Sequence, residues 1–144
     1  MGMSSVQYII VRKDLVPQMG IGKTAAQVAH ASLGAVIERV PNEIEGFSGR
    51  RIVETTETIK MPDVSTWFNG RFTKLVCYVK TKQKLINLAK KLDAVEIKYK
   101  LIYDACFTML EPEEDDGTTL TCMGVIPINK DNVPKCLKKL QLLE

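Results

Sequence analysis

A chain of 144 residues, 45% hydrophobic and 26% charged, has the make-up of one globular domain and excludes the disordered and fibrous classes. About two-thirds of the unfolded surface can be buried at this size, so neither a metal nor a disulfide is needed to hold the fold. The 20 Lys and Arg against 17 Asp and Glu give a net charge of +3, too small to name a partner.

Val6-Gln-Tyr-Ile-Ile-Val11 is apolar at nearly every position, as a strand buried on both faces should be. It is too short for a signal-peptide core or a membrane span. Met1-Gly2 opens like an N-myristoylation signal, but that motif needs Ser or Thr where Val6 stands. Pro17, Gly20 and Gly22 punctuate a turn. From about Lys23 to Val40 the period becomes helical, with Ala26, Ala29, Leu33, Val36, Ile37 and Val40 on one stripe. Residues 41–65, with Gly46, Gly49, Pro62 and a Thr-rich run, form an added lobe: an extra edge strand or a mobile segment. Phe72 to Val79 is the second strand, and Leu85, Leu88, Ala89 and Leu92 mark the second helix. Ile97, Tyr99, Leu101 and Tyr103 alternate with charges, which predicts a half-exposed strand, and Thr118 to Ile126 predicts a fourth. Asp131 is placed to cap a last helix, with Pro134 in its first turn and Val133, Cys136, Leu137 and Leu140 facing inward. This order predicts an α/β domain: a small mixed, mostly parallel sheet of about four strands with helices on both faces.

Cys77, Cys106, Cys122 and Cys136 show no C-x-x-C spacing, and His30 is the single histidine. No Cys/His zinc cluster of the usual form can be assembled from them, and reduced thiols in a cytoplasmic protein are expected. Five acids form one run: Glu111, Glu113, Glu114, Asp115 and Asp116. Setting that run aside leaves 20 basic against 12 acidic residues, a net of +8, which would attract polyanions.

The segment Met19-Gly-Ile-Gly-Lys-Thr-Ala-Ala-Gln-Val-Ala-His-Ala31 carries the chemistry. Gly20 and Gly22, just ahead of a helix, expose backbone N–H groups suited to an anion or a carbonyl oxygen. Lys23, Gln27, His30 and Gly34 step by 4, 3 and 4 and share one helix face. Gly22-Lys23-Thr24 also brings a P-loop to mind, but Pro17 stands where the Walker pattern needs glycine. A proline there lacks the N–H and the freedom in φ that a phosphate-cradling turn uses.

Residues 19–31 match M-G-x-G-K-x-A-A-Q-x-x-H-A at every specified position. Trp67-Phe-Asn-Gly70 with Lys74-Leu-Val76 follows a shortened W-x-x-x-G-Q-x-K-I-V, with Arg71 in place of glutamine. Tyr103-Asp-Ala105 with Thr108 follows R-D-A-G-x-T-Q, and Gly117-Thr118 a later G-T. In this order the motifs resemble the second, archaeal and eukaryotic type of peptidyl-tRNA hydrolase, across about residues 6–142. The resemblance implies a monomeric or homodimeric enzyme that cleaves the ester between a peptide's carboxyl group and the tRNA ribose. It implies tRNA as partner and neither cofactor nor metal nor membrane. Lys23, His30, Asp104, Thr108 and Thr118 match the family's proposed active residues, and Gly20, Gly22, Gln27, Arg71 and Lys74 are the substrate-binding candidates. On this reading Asp104 orients water, and Lys23 binds the terminal phosphate or stabilises the oxyanion. The threonine hydroxyls position the ester. The acidic run is expected beside this site, at its rim. The alternative is a catalytically inactive relative of the same fold that binds RNA or protein.

Overall fold

The computed structural model describes residues 4–40, 49–52 and 62–144. Strand β1 (Ser5–Arg12) is buried along its whole length, in keeping with its unbroken apolar run. A 3-10 turn at Lys13–Leu15 leads into α1 (Val16–Gly34). Next come β2 (Ile37–Val40), β3 (Gly49–Ile52), α2 (Pro62–Asn69), β4 (Lys74–Val79) and α3 (Lys82–Ala94). Thr81 caps α3, its hydroxyl oxygen accepting from the Lys84 N–H at 3.2 Å. The chain closes with β5 (Tyr99–Asp104), β6 (Thr119–Val125), β7 (Ile128–Asn129) and the short helix α4 (Lys135–Lys138).

The main sheet has five strands in the order β4-β1-β6-β5, with β7 pairing β1. Only β1 and β4 are parallel; β6 runs antiparallel to both β1 and β5, and β7 antiparallel to β1. The sheet is therefore mixed, and the expectation that it is mostly parallel is corrected. Its source is physical: β6 is buried at every residue, and a strand with both faces covered looks apolar throughout whichever way it runs.

Three boundaries also differ from the sequence reading. Helix α1 begins at Val16 and is broken at Gly20, where φ is 72° and ψ 177°, a backbone conformation open mainly to glycine. It ends at Gly34, so Ile37 and Val40 belong to β2, as suits β-branched side chains. Asp131 sits in a 3-10 turn capped by Asn129, and Pro134 caps α4. Of the 41–65 lobe, only β3 and the start of α2 are among the described residues. The rest lies outside them. Strand β3 pairs antiparallel with β2 in a separate two-stranded sheet.

Alternate side chains of β1 enter different apolar clusters. Val6, Tyr8 and Ile10 join Leu85, Leu88 and Leu92 of α3 and Leu137 of α4. Ile9 and Val11 join Leu15, Met19, Ala31 and Cys122. Close approach of α1 to the sheet depends on Gly124 of β6: a Cβ there would overlap the carbonyl oxygen of Ala31.

Candidate active site

Helix α1 lies along β5, with Gly34 close enough that a Cβ would stand 3.5 Å from Ile102 Cδ1. Its first full turn after the Gly20 break carries Lys23, and its next carries Gln27. Both reach the end of β5, where the strand delivers Asp104. Lys23 Nζ lies 3.1 Å from Asp104 Oδ1, and the two side chains retain only 15% and 12% exposure. Lys23 Nζ also donates to Thr108 Oγ1 at 3.0 Å. Gln27 Nε2 stands 3.5 Å from the same Asp104 oxygen. Its Oε1 accepts from the buried Thr121 hydroxyl at 2.7 Å, so the amide is held from behind. The chain then turns through Cys106, at φ 61°, whose N–H donates to Asp104 Oδ2 at 2.9 Å.

A carboxylate accepting at both oxygens is fixed in direction, and an ammonium with two of its three donors used keeps one for a ligand. The pair is largely shielded, which strengthens its field on whatever binds there. The structure thus brings Lys23, Asp104 and Thr108 together, with Gln27 behind them. Thr121 and the Cys106 N–H belong to the same network. No sequence motif singles out Thr121, since its hydroxyl meets Gln27 across 94 residues of chain.

Other candidates lie elsewhere. His30 is exposed on α1, and among the described residues no hydrogen bond or ion pair joins it to the cluster. Thr118 donates to Asp116 Oδ1 at 2.6 Å, in the neck of the acidic loop. Gly20 and Gly22 border open space, with nothing within 4 Å of an added Cβ. Lys74 pairs with Gln7 near the start of β1, at the end of the sheet remote from Asp104. There its ammonium lies over the Phe72 ring, and burial lowers its pKa. Arg71, Lys130 and Lys138 line a cavity of about 790 Å³ at that same remote end.

The family model for Peptidyl-tRNA hydrolase PTH2 matches residues 5–143. The chain belongs to this family. It is 31% identical over 137 residues to the Peptidyl-tRNA hydrolase of Methanococcus maripaludis, covering 95% of this chain and 97% of that one. It is 30% identical over 135 residues to that of Saccharolobus solfataricus, covering 94% and 96%. Against that of Haloquadratum walsbyi it is 32% identical over 136 residues, covering 94% and 97%. Among the described residues no helix is long and apolar enough to cross a membrane, and no three His, Cys, Asp or Glu side chains group as metal ligands.

Within this peptidyl-tRNA hydrolase fold the acidic run is tied down. Arg12, buried at the end of β1, donates to Glu113 Oε1 at 2.6 Å, to Asp14 Oδ2 at 2.7 Å and to the Leu120 carbonyl at 3.0 Å. Burial works to lower its pKa, but hydrogen bonds to Asp14 and Glu113 outweigh that and raise it. Glu114 pairs with Lys82 at 2.6 Å. Two of the five acids are therefore paired with cations of the same molecule, Glu113 sharing its cation with Asp14. Arg12→Ala is expected to cost about 3 kcal/mol in a urea melt, the low end for breaking a buried ion pair. The carboxylates it strands, Asp14 and Glu113, keep 38% and 36% side-chain exposure and can rehydrate. An unchanged melt would mean that the loop holds itself.

Proposed function

We propose that this chain hydrolyses the ester between a peptide's carboxyl group and the terminal ribose of tRNA, recycling tRNA from peptidyl-tRNA. The family match over residues 5–143 carries the reading, and the Lys23–Asp104–Thr108 cluster supplies a chemistry that fits it. A free lone pair on Asp104 Oδ2 accepts a proton from the attacking water. The third N–H of Lys23 then faces the oxyanion that forms on the ester carbonyl. Thr108 Oγ1 accepts from Lys23, so its own hydrogen points away from the lysine and is available to the ester or the leaving ribose oxygen. As the tetrahedral intermediate collapses, the C–O bond to ribose breaks. The proton held by Asp104 passes to that oxygen, leaving a free carboxylic acid and the tRNA hydroxyl. On this reading the enzyme works alongside translation, in the cytoplasm.

Gln27 acts as a positioning residue on this reading, because its amide is buried between Thr121 and Asp104. The inactive-relative alternative is not favoured, since the family model covers nearly the whole chain and the matched relatives carry the hydrolase name.

The decisive assay follows release of deacylated tRNA from purified peptidyl-tRNA with a metal chelator present. Turnover is expected, and its absence from folded protein would refute the assignment. Lys23→Ala is expected to lower turnover by about tenfold or more, through loss of a charge-assisted contact. A folded variant with full activity would remove Lys23 from the reacting centre.

A further inference from the structure

We infer that the groove between β4, α3 and the C-terminal segment is the docking surface for the sugar-phosphate backbone of the tRNA body. This rests on the peptidyl-tRNA reading above and names the surface that reading leaves open. The groove encloses about 510 Å³ and is lined by Lys80, Lys84, Lys91 and Lys139, with Tyr78 and Gln141 among its walls. Lys84 and Lys91 are seven residues apart, two turns on one face of α3. Lys80 follows the end of β4, and Lys139 faces them from the end of α4. Lys13 adds a fifth cation, its ammonium 4.3 Å from the centre of the Tyr78 ring. The Tyr78 hydroxyl donates to Gln141 Oε1 at 2.7 Å, tying the C-terminal segment to this wall.

All four groove lysines are exposed, and among the described residues none has a carboxylate within ion-pair distance. Clustered, unpaired like charges repel one another, and a polyanion relieves that repulsion. Lysine side chains are long, flexible point charges suited to phosphates and blind to base identity. An enzyme that releases many different tRNAs needs that indifference. Of the apolar side chains that line the groove, Leu88 is buried and Leu140 packs against the core, which leaves the half-buried Tyr78 and the lysines to meet a partner.

The position of the groove fits as well. Tyr78 and Val79 pair with Val11 and Arg12 at the end of β1. Cys122 pairs with Val11, and Thr119, further toward that end on β6, pairs with Asp104. Groove and cluster thus share one end of the sheet, at opposite edges of the order β4-β1-β6-β5. Three strand spacings separate those edges, about 14 Å. The groove borders the apolar cluster that holds α3, and Lys23 stands on α1, which packs in the other cluster, so an RNA reaches both by wrapping over this end of the sheet. Of the acidic run near that path, Glu114 is paired with Lys82, and Glu113 shares Arg12 with Asp14.

The test compares the full-length chain with K84S/K91S/K139S and with K98S/K130S/K138S, which removes the same charge elsewhere. Steady-state hydrolysis of peptidyl-tRNA is measured across a salt series. The groove variant is expected to raise KM about tenfold or more at low salt, with kcat within about twofold. Its slope of log KM on log salt should fall by about 2 to 3, near 0.9 per lost phosphate contact. Turnover of N-acetylaminoacyl-adenosine, which has no RNA body, should match wild type, and the control triple should keep its KM. Unchanged KM and salt slope in the groove variant, beside an active wild type, would overturn the inference; an acidic protein as the true occupant gives this result. Equal effects from both triples would also overturn it, by showing only a net-charge field. If wild type itself does not hydrolyse peptidyl-tRNA, the underlying reading fails. Titration with deacylated tRNA then decides the groove alone: weaker binding by the groove variant keeps it, and equal binding rejects it.

Discussion

Replacing Asp104 by asparagine is expected to lower kcat on peptidyl-tRNA by about two to three orders of magnitude, the usual range for loss of a general base. Thermal stability should fall too, but by far less than the activity. The single asparagine oxygen can accept either the Cys106 N–H, which now meets Oδ2 at 2.9 Å, or the Lys23 ammonium at the Oδ1 position, and the amide NH2 then faces the other donor. The negative charge beside Lys23 and the basicity toward water are both lost. A double-mutant cycle with Lys23→Ala sharpens the result, because the two side chains touch at 3.1 Å and groups acting as one unit are strongly non-additive. Retained kcat in the single variant, or a loss that tracks unfolding, would make Asp104 a turn residue.

The other large effect is on the fold. Gly124→Ala places a Cβ on the carbonyl oxygen of Ala31, a backbone atom that no side-chain rotation can move. Overpacking usually costs about 1–3 kcal/mol, and a backbone obstacle puts this site at the top of that range or above. For a chain of this length the melting temperature should fall by about 10 °C. Relief requires α1 to lift from β6, and α1 carries Gln27 and Lys23, so hydrolysis should weaken in the protein that remains folded. Ala31→Gly should not rescue it, because the obstructing oxygen stays in place. A melt within about 2 °C of wild type would show that the helix floats on this strand.

Much of the fold was legible where burial and period agree. Leu85, Leu88, Ala89 and Leu92 are spaced for a helix, and all four are buried in α3. Helix α1 shows the limit. Its stripe of Ala26, Ala29 and Leu33 points outward, Leu33 at 54% exposure, while Thr24, Gln27 and Ala31 are buried. Alanine favours a helix whichever way it faces, and Gln27 tolerates burial because Thr121, distant in sequence, completes its hydrogen bonds. His30 stands about 100° around the helix from buried Ala31, so a spacing that grouped it with Lys23 and Gln27 still left it in solvent. Lys23, Asp104 and Thr108 were legible through the order of their motifs. Arg12 carried no signal: its partners Glu113 and Leu120 lie more than a hundred residues away, and pairings of that kind are settled by strand order alone.

The free thiols give the molecule two built-in reporters. Cys122 is fully buried, its S–H donating to the carbonyl oxygen of Gln27 at 3.3 Å, and burial pushes its pKa up to about 12. Alkylating reagents attack only an accessible thiolate, so Cys122 reacts when α1 detaches from β6 and at no other time. Cys106 is half-buried between Asp104 and Thr108, where a substrate held at the proposed site would shield it. With Cys136, the other half-buried free thiol, replaced by serine, paired labelling rates, slow at one sulfur and ligand-sensitive at the other, separate the breathing of the scaffold from the filling of its site in a single reaction tube.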